Sequence, residues 1–374
     1  MENRRTRSGP LAGLRVVEMG TVGPVPFCGM LLCDFGAEVV RIDRKGGLTV
    51  GIPANPKMDI MSRGKMSISL DLKDPGAVAQ MRGLIEKADI LIEGYRPGVM
   101  EKLGLGPDAC HRWNAGLVYG RMTGWGQDGP LANAAGHDIN YLALTGALSL
   151  MGEQGGSPVP PLNLVGDYGG GALYLALGIV AAIHERHASR QGQVVDAAMV
   201  DGVSSLMAGV RAGLARDTYR EARGTNVLDG GAPFYRAYRT ADDQYVAVGC
   251  IEQRFFKNLL DVLELEPGLA QQQYDQNAWP RLRQLIADRF MQASQREWVR
   301  RAQGIDACLT PVLGPREALH DDHMVSRGVN AEVFGVNQPM PAPRLSRTRP
   351  EIAGPPGGIE TDFQSVWKKW SALP

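Results

Sequence analysis

The sequence predicts an α/β fold: an open, Rossmann-like parallel sheet in a large first region, with a second, smaller region after it. Three observations carry this. Short β-branched runs alternate with helical segments between residues 13 and 122, and parallel strands need such crossovers. A hairpin pattern appears only beyond Gly224, which separates a region of different organisation. The length, 374 residues, suffices for two domains.

Each element follows from local sequence. Residues 13–19 read as the first strand, followed by the loop Gly20-Thr-Val-Gly-Pro-Val-Pro26. Residues 27–35 have the spacing of an amphipathic helix closed by Gly36, and residues 37–43 form the next strand, completing a βαβ unit. Residues 66–70 are a strand. Residues 75–88 are a helix with proline in the first turn, where its missing N–H costs little. Residues 89–93 are a near-continuous apolar strand, as burial on both faces requires. After Gly94-Tyr-Arg-Pro-Gly98, a short helix near 99–103 leads to the strand 116–122. The middle is helical over 138–151, 168–187 and around 198–215. Residues 233–240 and 244–249, joined by Ala-Asp-Asp, predict the hairpin; helices follow to near Gln303, and 306–313 is a further strand. The tail over 338–358 is rich in proline and glycine and carries little regular structure.

Composition narrows the function. Forty basic and forty acidic residues cancel, so no bulk attraction draws the chain to nucleic acid or to an anionic membrane. Five scattered cysteines without metal-ligand spacing fit a reducing, cytoplasmic setting rather than a disulfide scaffold. The opening Met-Glu-Asn-Arg-Arg-Thr-Arg-Ser has charge but no apolar core after it, unlike a secretory signal. The most apolar helix, 169–183, falls short of the roughly 20 residues of a membrane span and reads as a core helix; no membrane insertion is expected.

Several chemistries lack their motif. Gly20, Gly23 and Gly29 are too far apart for a dinucleotide fingerprint, and no P-loop occurs. No G-x-S-x-G elbow marks a serine nucleophile. His184-Glu-Arg-His187 lacks metalloprotease spacing, and His320-Asp-Asp-His323 and Cys110-His111 lack further ligands, so no metal site is expected. Cys250 and Cys308 sit in apolar strand ends, where a thiol ordinarily packs as a small hydrophobe.

What remains is a pair of ionisable groups. His137 stands in Ala-Gly-His-Asp-Ile-Asn-Tyr, and Asp167 in Leu-Val-Gly-Asp-Tyr-Gly-Gly-Gly. Each precedes an apolar helical run, so each opens a helix. A neutral imidazole and a carboxylate so placed suit two-sided proton transfer at carbon. Each also has a structural reading, since aspartate at a helix start commonly caps it and histidine there commonly packs. Arg44 ends the second strand, Lys73 ends Leu70-Asp71-Leu72-Lys73, and Arg96 and Lys102 follow the strand 89–93. Together these cations fall where an α/β sheet presents its ligand edge and suggest an anionic ligand. Glu252, after the strand 244–249, reads equally as a partly buried acid or a helix cap.

In order along the chain stand Asp-Phe-Gly-Ala-Glu-Val-Val-Arg-Ile-Asp-Arg, Ser-Leu-Asp-Leu-Lys, Glu-Gly-Tyr-Arg-Pro-Gly, Arg-Met-Thr-Gly-Trp-Gly-Gln, Ala-Gly-His-Asp-Ile-Asn-Tyr, Leu-Val-Gly-Asp-Tyr-Gly-Gly-Gly and Asp-Ala-Cys-Leu-Thr-Pro-Val-Leu. With these strings nearly the whole chain resembles the family III CoA-transferase superfamily, and within it the α-methylacyl-CoA racemase branch. The resemblance implies a Rossmann-like large domain from residues 1–215, a small α+β domain over 225–305, and a return to the large domain over 306–374. It implies two chains interlocked as a homodimer. It makes His137 and Asp167 the acid/base pair, with Glu252 of a second copy acting on the His137 side. It places the CoA portion of an acyl-CoA substrate against Arg44, Leu70, Asp71, Leu72, Lys73, Arg96 and Lys102, and the thioester beside Gly136, Asp138 and Tyr141. No cofactor beyond the coenzyme A of the substrate is implied. Transferases of the superfamily instead use an aspartate matching Asp167 as a nucleophile. A binding protein without catalysis would need only the basic ligand edge. Three positions depart from the racemase pattern: Val25 replaces a glycine, Met66 a basic residue and Gln253 a proline.

Overall fold

The computed structural model describes residues 8–46 and 55–372; the N-terminal stretch read above as no secretory signal lies almost wholly outside them. The chain divides into two units. The first takes in residues up to Thr145, Leu162–Leu206 and the chain from His323; the second takes in Gly146–Pro161 and Met207–Asp322. Residues 146–161, 207–215 and 306–322 therefore group with the second unit, where the large domain was expected. Two contacts account for much of the shift. The Arg223 guanidinium donates to the carbonyls of Ser149 and Gly156, and Leu309–Pro311 pairs with Tyr245–Gly249.

The first unit runs β1 (Arg15–Met19), α1 (Pro24–Asp34), β2 (Glu38–Arg44), β3 (Met66–Leu70), α2 (Pro75–Lys87), β4 (Ile90–Glu93), α3 (Val99–Lys102), α4 (Pro107–Trp113), β5 (Val118–Thr123) and α5 (Asp138–Leu144). A π-helical stretch, Leu164–Ala172, then runs into α6 (Leu173–Ser189), β6 (Val194–Ala198) and α7 (Met199–Leu206). The second unit holds α8 (Ala208–Ala215), β7 (Tyr235–Arg239), β8 (Tyr245–Gly249), α9 (Gln253–Val262), α10 (Trp279–Phe290), α11 (Gln295–Arg301) and β9 (Leu309–Pro311). After α12 (Asp322–Ser326) the chain adds β10 (Asn330–Val333), β11 (Val336–Pro339), β12 (Ile359–Glu360) and α13 (Phe363–Ser371) to the first.

The first unit's sheet is β12-β3-β2-β1-β4-β5-β6, with every pairing parallel. Six of these strands stand in the Rossmann order 3-2-1-4-5-6. Side-chain alternation splits the core. Val16, Val39, Ile90, Ile92 and Val118 face Val25, Cys28, Leu175 and Ile179 on one side. Val17, Val40, Leu91 and Tyr119 face Met81, Leu84, Ile85 and Trp370 on the other. Removing one such buried Leu or Ile to Ala costs about 2–5 kcal/mol. The second unit has its own core, with Phe234, Phe256, Trp279, Phe290 and Trp298 packed beside the antiparallel sheet β7-β8-β9.

Three expectations change. α1 begins at Pro24 rather than Phe27, since Gly23 at φ 74° turns the chain so that both prolines sit in the first turn. The strand β6 and the helices α4 and α13 were not anticipated. The helix expected from 168 starts four residues earlier, in the π-helical stretch Leu164–Ala172, so Leu164–Ser189 is one helix of 26 residues. By length and composition it is long enough to cross a bilayer, which corrects the expectation that it falls short; 33% of its most apolar window is buried. Gly170 and Gly202 are glycine for mutual packing. A Cβ on Gly170 would lie 2.8 Å from the Val203 backbone nitrogen of α7, and one on Gly202 1.8 Å from the Gly170 carbonyl oxygen.

Candidate active site

A cavity of about 280 Å³ opens at the carboxyl edge of the first unit's sheet. Its walls come from residues 22–24 after β1, 94–97 after β4, 122–125 at the end of β5, and from His137, Tyr141 and Asp167. β1 has β2 on one side and β4 on the other, and the connections after β1 and β4 part there to leave a crevice. Buried polar pairs hold its rims. Lys65 Nζ donates to both oxygens of Glu18, at 2.9 and 2.7 Å, and to the Pro26 carbonyl at 2.9 Å, which pins the first turn of α1. Glu93, paired with Arg121 at 3.0 Å, accepts the Tyr95 amide at 2.7 Å. The Tyr95 hydroxyl donates to the Gly20 carbonyl at 3.2 Å, joining the loops on either side of the crevice.

His137 is the N-cap of α5, with extended backbone and its N–H donated to Asn140 Oδ1 at 3.0 Å. Its ring is exposed at the cavity wall. The residue before it is fastened: Tyr141 Oη donates to the Gly136 carbonyl at 2.5 Å. The Tyr141 ring meets Trp125 edge-on at 4.7 Å. It lies so close over Gly124 that a Cβ there would stand 2.1 Å from it.

Asp167 is the fourth residue of the π-helical stretch and is half-buried. Asn163, one turn earlier, donates Nδ2 to Asp167 Oδ2 at 3.2 Å. Burial raises the Asp167 pKa above the ordinary 3.8; the Asn163 hydrogen bond and His137 oppose this, and the Asp138 charge adds to it. Burial first, then the charge of Asp167, pushes the Tyr141 phenol up to about 12.

The cavity thus brings together five residues singled out from the sequence: Arg96, Gly136, His137, Tyr141 and Asp167. Others lie elsewhere. Asp138 is 8% exposed, with its carboxylate on the π-helical stretch. Arg44 pairs in register with Leu70 at the ends of β2 and β3; Leu70 and Asp71 line a second depression beside the start of α2. Leu72 packs against the core, while Lys73 and Lys102 are exposed. Glu252 is the exposed N-cap of α9 in the second unit. Of the departures, Val25 is buried beneath Gly94, Met66 packs against the core, and Gln253 Nε2 donates to the Ala270 carbonyl at 3.2 Å. Sequence reading missed Asn163, Trp125 and Gly23. Asn163 had a signal, an amide four residues before a carboxylate on one helix face.

The pattern of CoA-transferase family III matches residues 11–359. The chain is 45% identical over 339 residues to the alpha-methylacyl-CoA racemase of Mus musculus, covering 90% of this chain and 87% of that one. It is 44% identical over 342 residues to the alpha-methylacyl-CoA racemase of Homo sapiens, with the same coverage. A crystal structure of a CaiB/BaiF family protein from Brucella suis superposes with TM-score 0.84 at 23% identity, over 97% of this chain and 100% of that one.

Proposed function

The chain belongs to CoA-transferase family III, and from that premise we propose that it is a racemase, interconverting the R and S forms of 2-methylacyl-CoA thioesters by two-base proton transfer. The thioester carbonyl acidifies the α-hydrogen. One group removes that proton, the electron pair delocalises into the carbonyl as an enolate, and the other group returns a proton to the opposite face. We assign these roles to His137 and Asp167, which exchange them with direction; such assistance contributes about 10²–10⁴-fold each. Backbone N–H groups at the start of α5 serve the enolate oxygen. The observation that carries the reading is that His137 and Asp167, from the starts of two separate helices, line one cavity at the sheet's switch point. The raised pKa of Asp167 brings its basicity closer to that of an imidazole, as a base that works in both directions needs.

On this reading the CoA portion lies along Arg44, residues 70–73, Arg96 and Lys102, and no group beyond the thioester's own coenzyme A takes part. The protein works as an interlocked homodimer in a reducing, cytoplasmic setting, with Glu252 of the second copy beside His137. Leu173, Leu177 and Val180 form an exposed apolar stripe on α6, at 51, 66 and 44% exposure. That stripe supports a second copy as its cover.

One incubation tests the reaction. A single 2-methylacyl-CoA enantiomer is placed in D₂O with no acceptor acid. Deuterium at the α-carbon and formation of the other enantiomer, without hydrolysis, are expected. Transfer of CoA that appears only with a second acid makes Asp167 a nucleophile and overturns the racemase reading. Neither reaction leaves a thioester-binding protein.

A further inference from the structure

The helix that carries Asp167 begins with unsatisfied donors. An α-helix leaves four N–H groups free at its start, and a π-turn, bonding i to i+5, leaves one more. Here the first such bond runs from the Tyr168 amide to the Asn163 carbonyl at 3.3 Å. The amides of Gly166 and Asp167 precede it, and the Asp167 amide takes an acceptor from outside the helix. That acceptor is Asp138, the residue after His137. Its Oδ2 accepts the Asp167 N–H at 2.7 Å. The fit is close: a Cβ on Gly166 would stand 2.3 Å from Asp138 Oδ2. The side chain is 8% exposed, and its other oxygen, Oδ1, is buried with no donor among the described residues. Burial raises the Asp138 pKa above the ordinary 3.8, and the Asp167 amide at the helix start opposes that rise. Among the described residues, that helix start alone holds the carboxylate.

We infer that Asp138 is a positioning residue, whose carboxylate fixes the backbone of Asp167 at a set distance from His137. The inference rests on the racemase reading above. His137 and Asp138 are consecutive, so the backbone that sets the His137 ring also sets the group that clamps Asp167. The two bases share one mount. The separation of the catalytic groups depends on this cross-link between the starts of α5 and the π-helical stretch. Turnover therefore depends on Asp138 through Asp167, and not through His137.

The test compares Asp138→Ala, Asp138→Asn and Gly166→Ala in the intact protein. Asp138→Ala removes the acceptor. Asp138→Asn keeps a carbonyl oxygen for the Asp167 amide and turns its NH₂ toward the place of Oδ1. Gly166→Ala drives a methyl against the carboxylate. The first readout is α-deuteration of each enantiomer in D₂O, where the enantiomer served by Asp167 is the one whose exchange Asp167→Asn abolishes. In Asp138→Ala and Gly166→Ala that enantiomer loses about 10²-fold in exchange rate relative to the other, the size of one misplaced general base. Asp138→Asn stays within about tenfold of the parent, as one neutral acceptor replaces a charged one. The second readout is amide hydrogen exchange. In Asp138→Ala the Asp167 amide exchanges about tenfold or more faster, as loss of its hydrogen bond requires, and the Tyr168 amide does not change. Equal loss for both enantiomers, unchanged exchange, or an Asp167 amide no faster than in the parent overturns the inference. Where Asp138→Ala fails to fold, bias in Gly166→Ala with none in Asp138→Asn upholds it, and any other pattern overturns it. A parent protein with no α-exchange sinks the racemase reading instead. The amide readout then decides alone whether Asp138 holds Asp167.

Discussion

The Tyr141 hydroxyl donates to the Gly136 carbonyl across 2.5 Å, so the residue before His137 is fastened by a side chain five positions beyond it. The ring that brings this hydroxyl into place rests over Gly124 and against Trp125. Tyr141→Phe keeps that packing and removes the hydrogen bond. We expect a folded protein whose turnover falls about tenfold, the scale of one neutral hydrogen bond at a catalytic loop. Gly124→Ala displaces the ring itself and costs more. Steady-state racemisation beside thermal unfolding separates the two, and Tyr141→Phe at full activity removes Tyr141 from the positioning of His137.

The Lys65–Glu18 pair is buried on both sides, at 1 and 0% side-chain exposure. Lys65→Met leaves Glu18 charged and alone, which costs about 3–5 kcal/mol. Replacing both partners with apolar residues recovers part of that loss, because no charge is then stranded. Urea unfolding of the single and double variants measures the difference. A double variant less stable than either single one contradicts this account.

Asn163 bonds the charged form of Asp167. Asn163→Ala removes a stabiliser of the carboxylate, so the Asp167 pKa rises further above its ordinary value. The acid limb of the pH–rate profile for proton removal by Asp167 then moves to higher pH, and kcat at low pH falls more than kcat at high pH. An unmoved acid limb dissociates Asn163 from the titration of Asp167.

These residues show how far the sequence was legible. The sheet from β1 to β5 follows from short β-branched runs between amphipathic helices, a signal carried by each segment alone. His137 and Asp167 stood out because each precedes an apolar helical run. β6 escaped notice because its Ala197-Ala198 end runs straight into the helical pattern that follows, and Val194 and Asp196 are exposed at the sheet edge. The first turn of the π-helical stretch, 164–167, escaped because Asp167 reads locally as a cap that opens the helix after it. The stretch packs closely against Gly202, a contact 32 residues away from Gly170. The clamp of Asp138 on Asp167 was invisible because a spacing of 29 residues has no local periodicity. Likewise the domain bounds depended on the pairing of β9 with β8.

Asp167 also bears on stability. Its pKa in the folded protein lies above the ordinary 3.8, so the folded state binds more protons than the unfolded state between those two values. Stability therefore falls as pH rises through that window, and the cost persists above it. Asp167→Asn removes the cost. The variant should melt at a higher temperature than the parent at neutral pH, with the advantage vanishing as pH drops below the ordinary carboxylate value. Melting curves across pH 3 to 7 check this; an advantage independent of pH traces the change to packing instead.

The division of labour between the two bases makes the sharpest prediction. If His137 and Asp167 address opposite faces of the α-carbon, each enantiomer presents its hydrogen to one of them alone. Removing one base blocks proton abstraction from the enantiomer it faces. The other enantiomer still loses its proton to the surviving base, and that base returns a deuteron to the same face, so deuterium enters without inversion. His137→Ala and Asp167→Asn should then show opposite enantiomer preferences in single-enantiomer D₂O exchange, with racemisation reduced by about 10²-fold or more in both. Water entering the space left by the His137 ring acts as a weak substitute and reduces the contrast in that variant, so the Asp167→Asn arm should show the larger bias. Two variants impaired equally toward both enantiomers indicate one base serving both faces, and the assignment of His137 and Asp167 to separate faces has then to be abandoned.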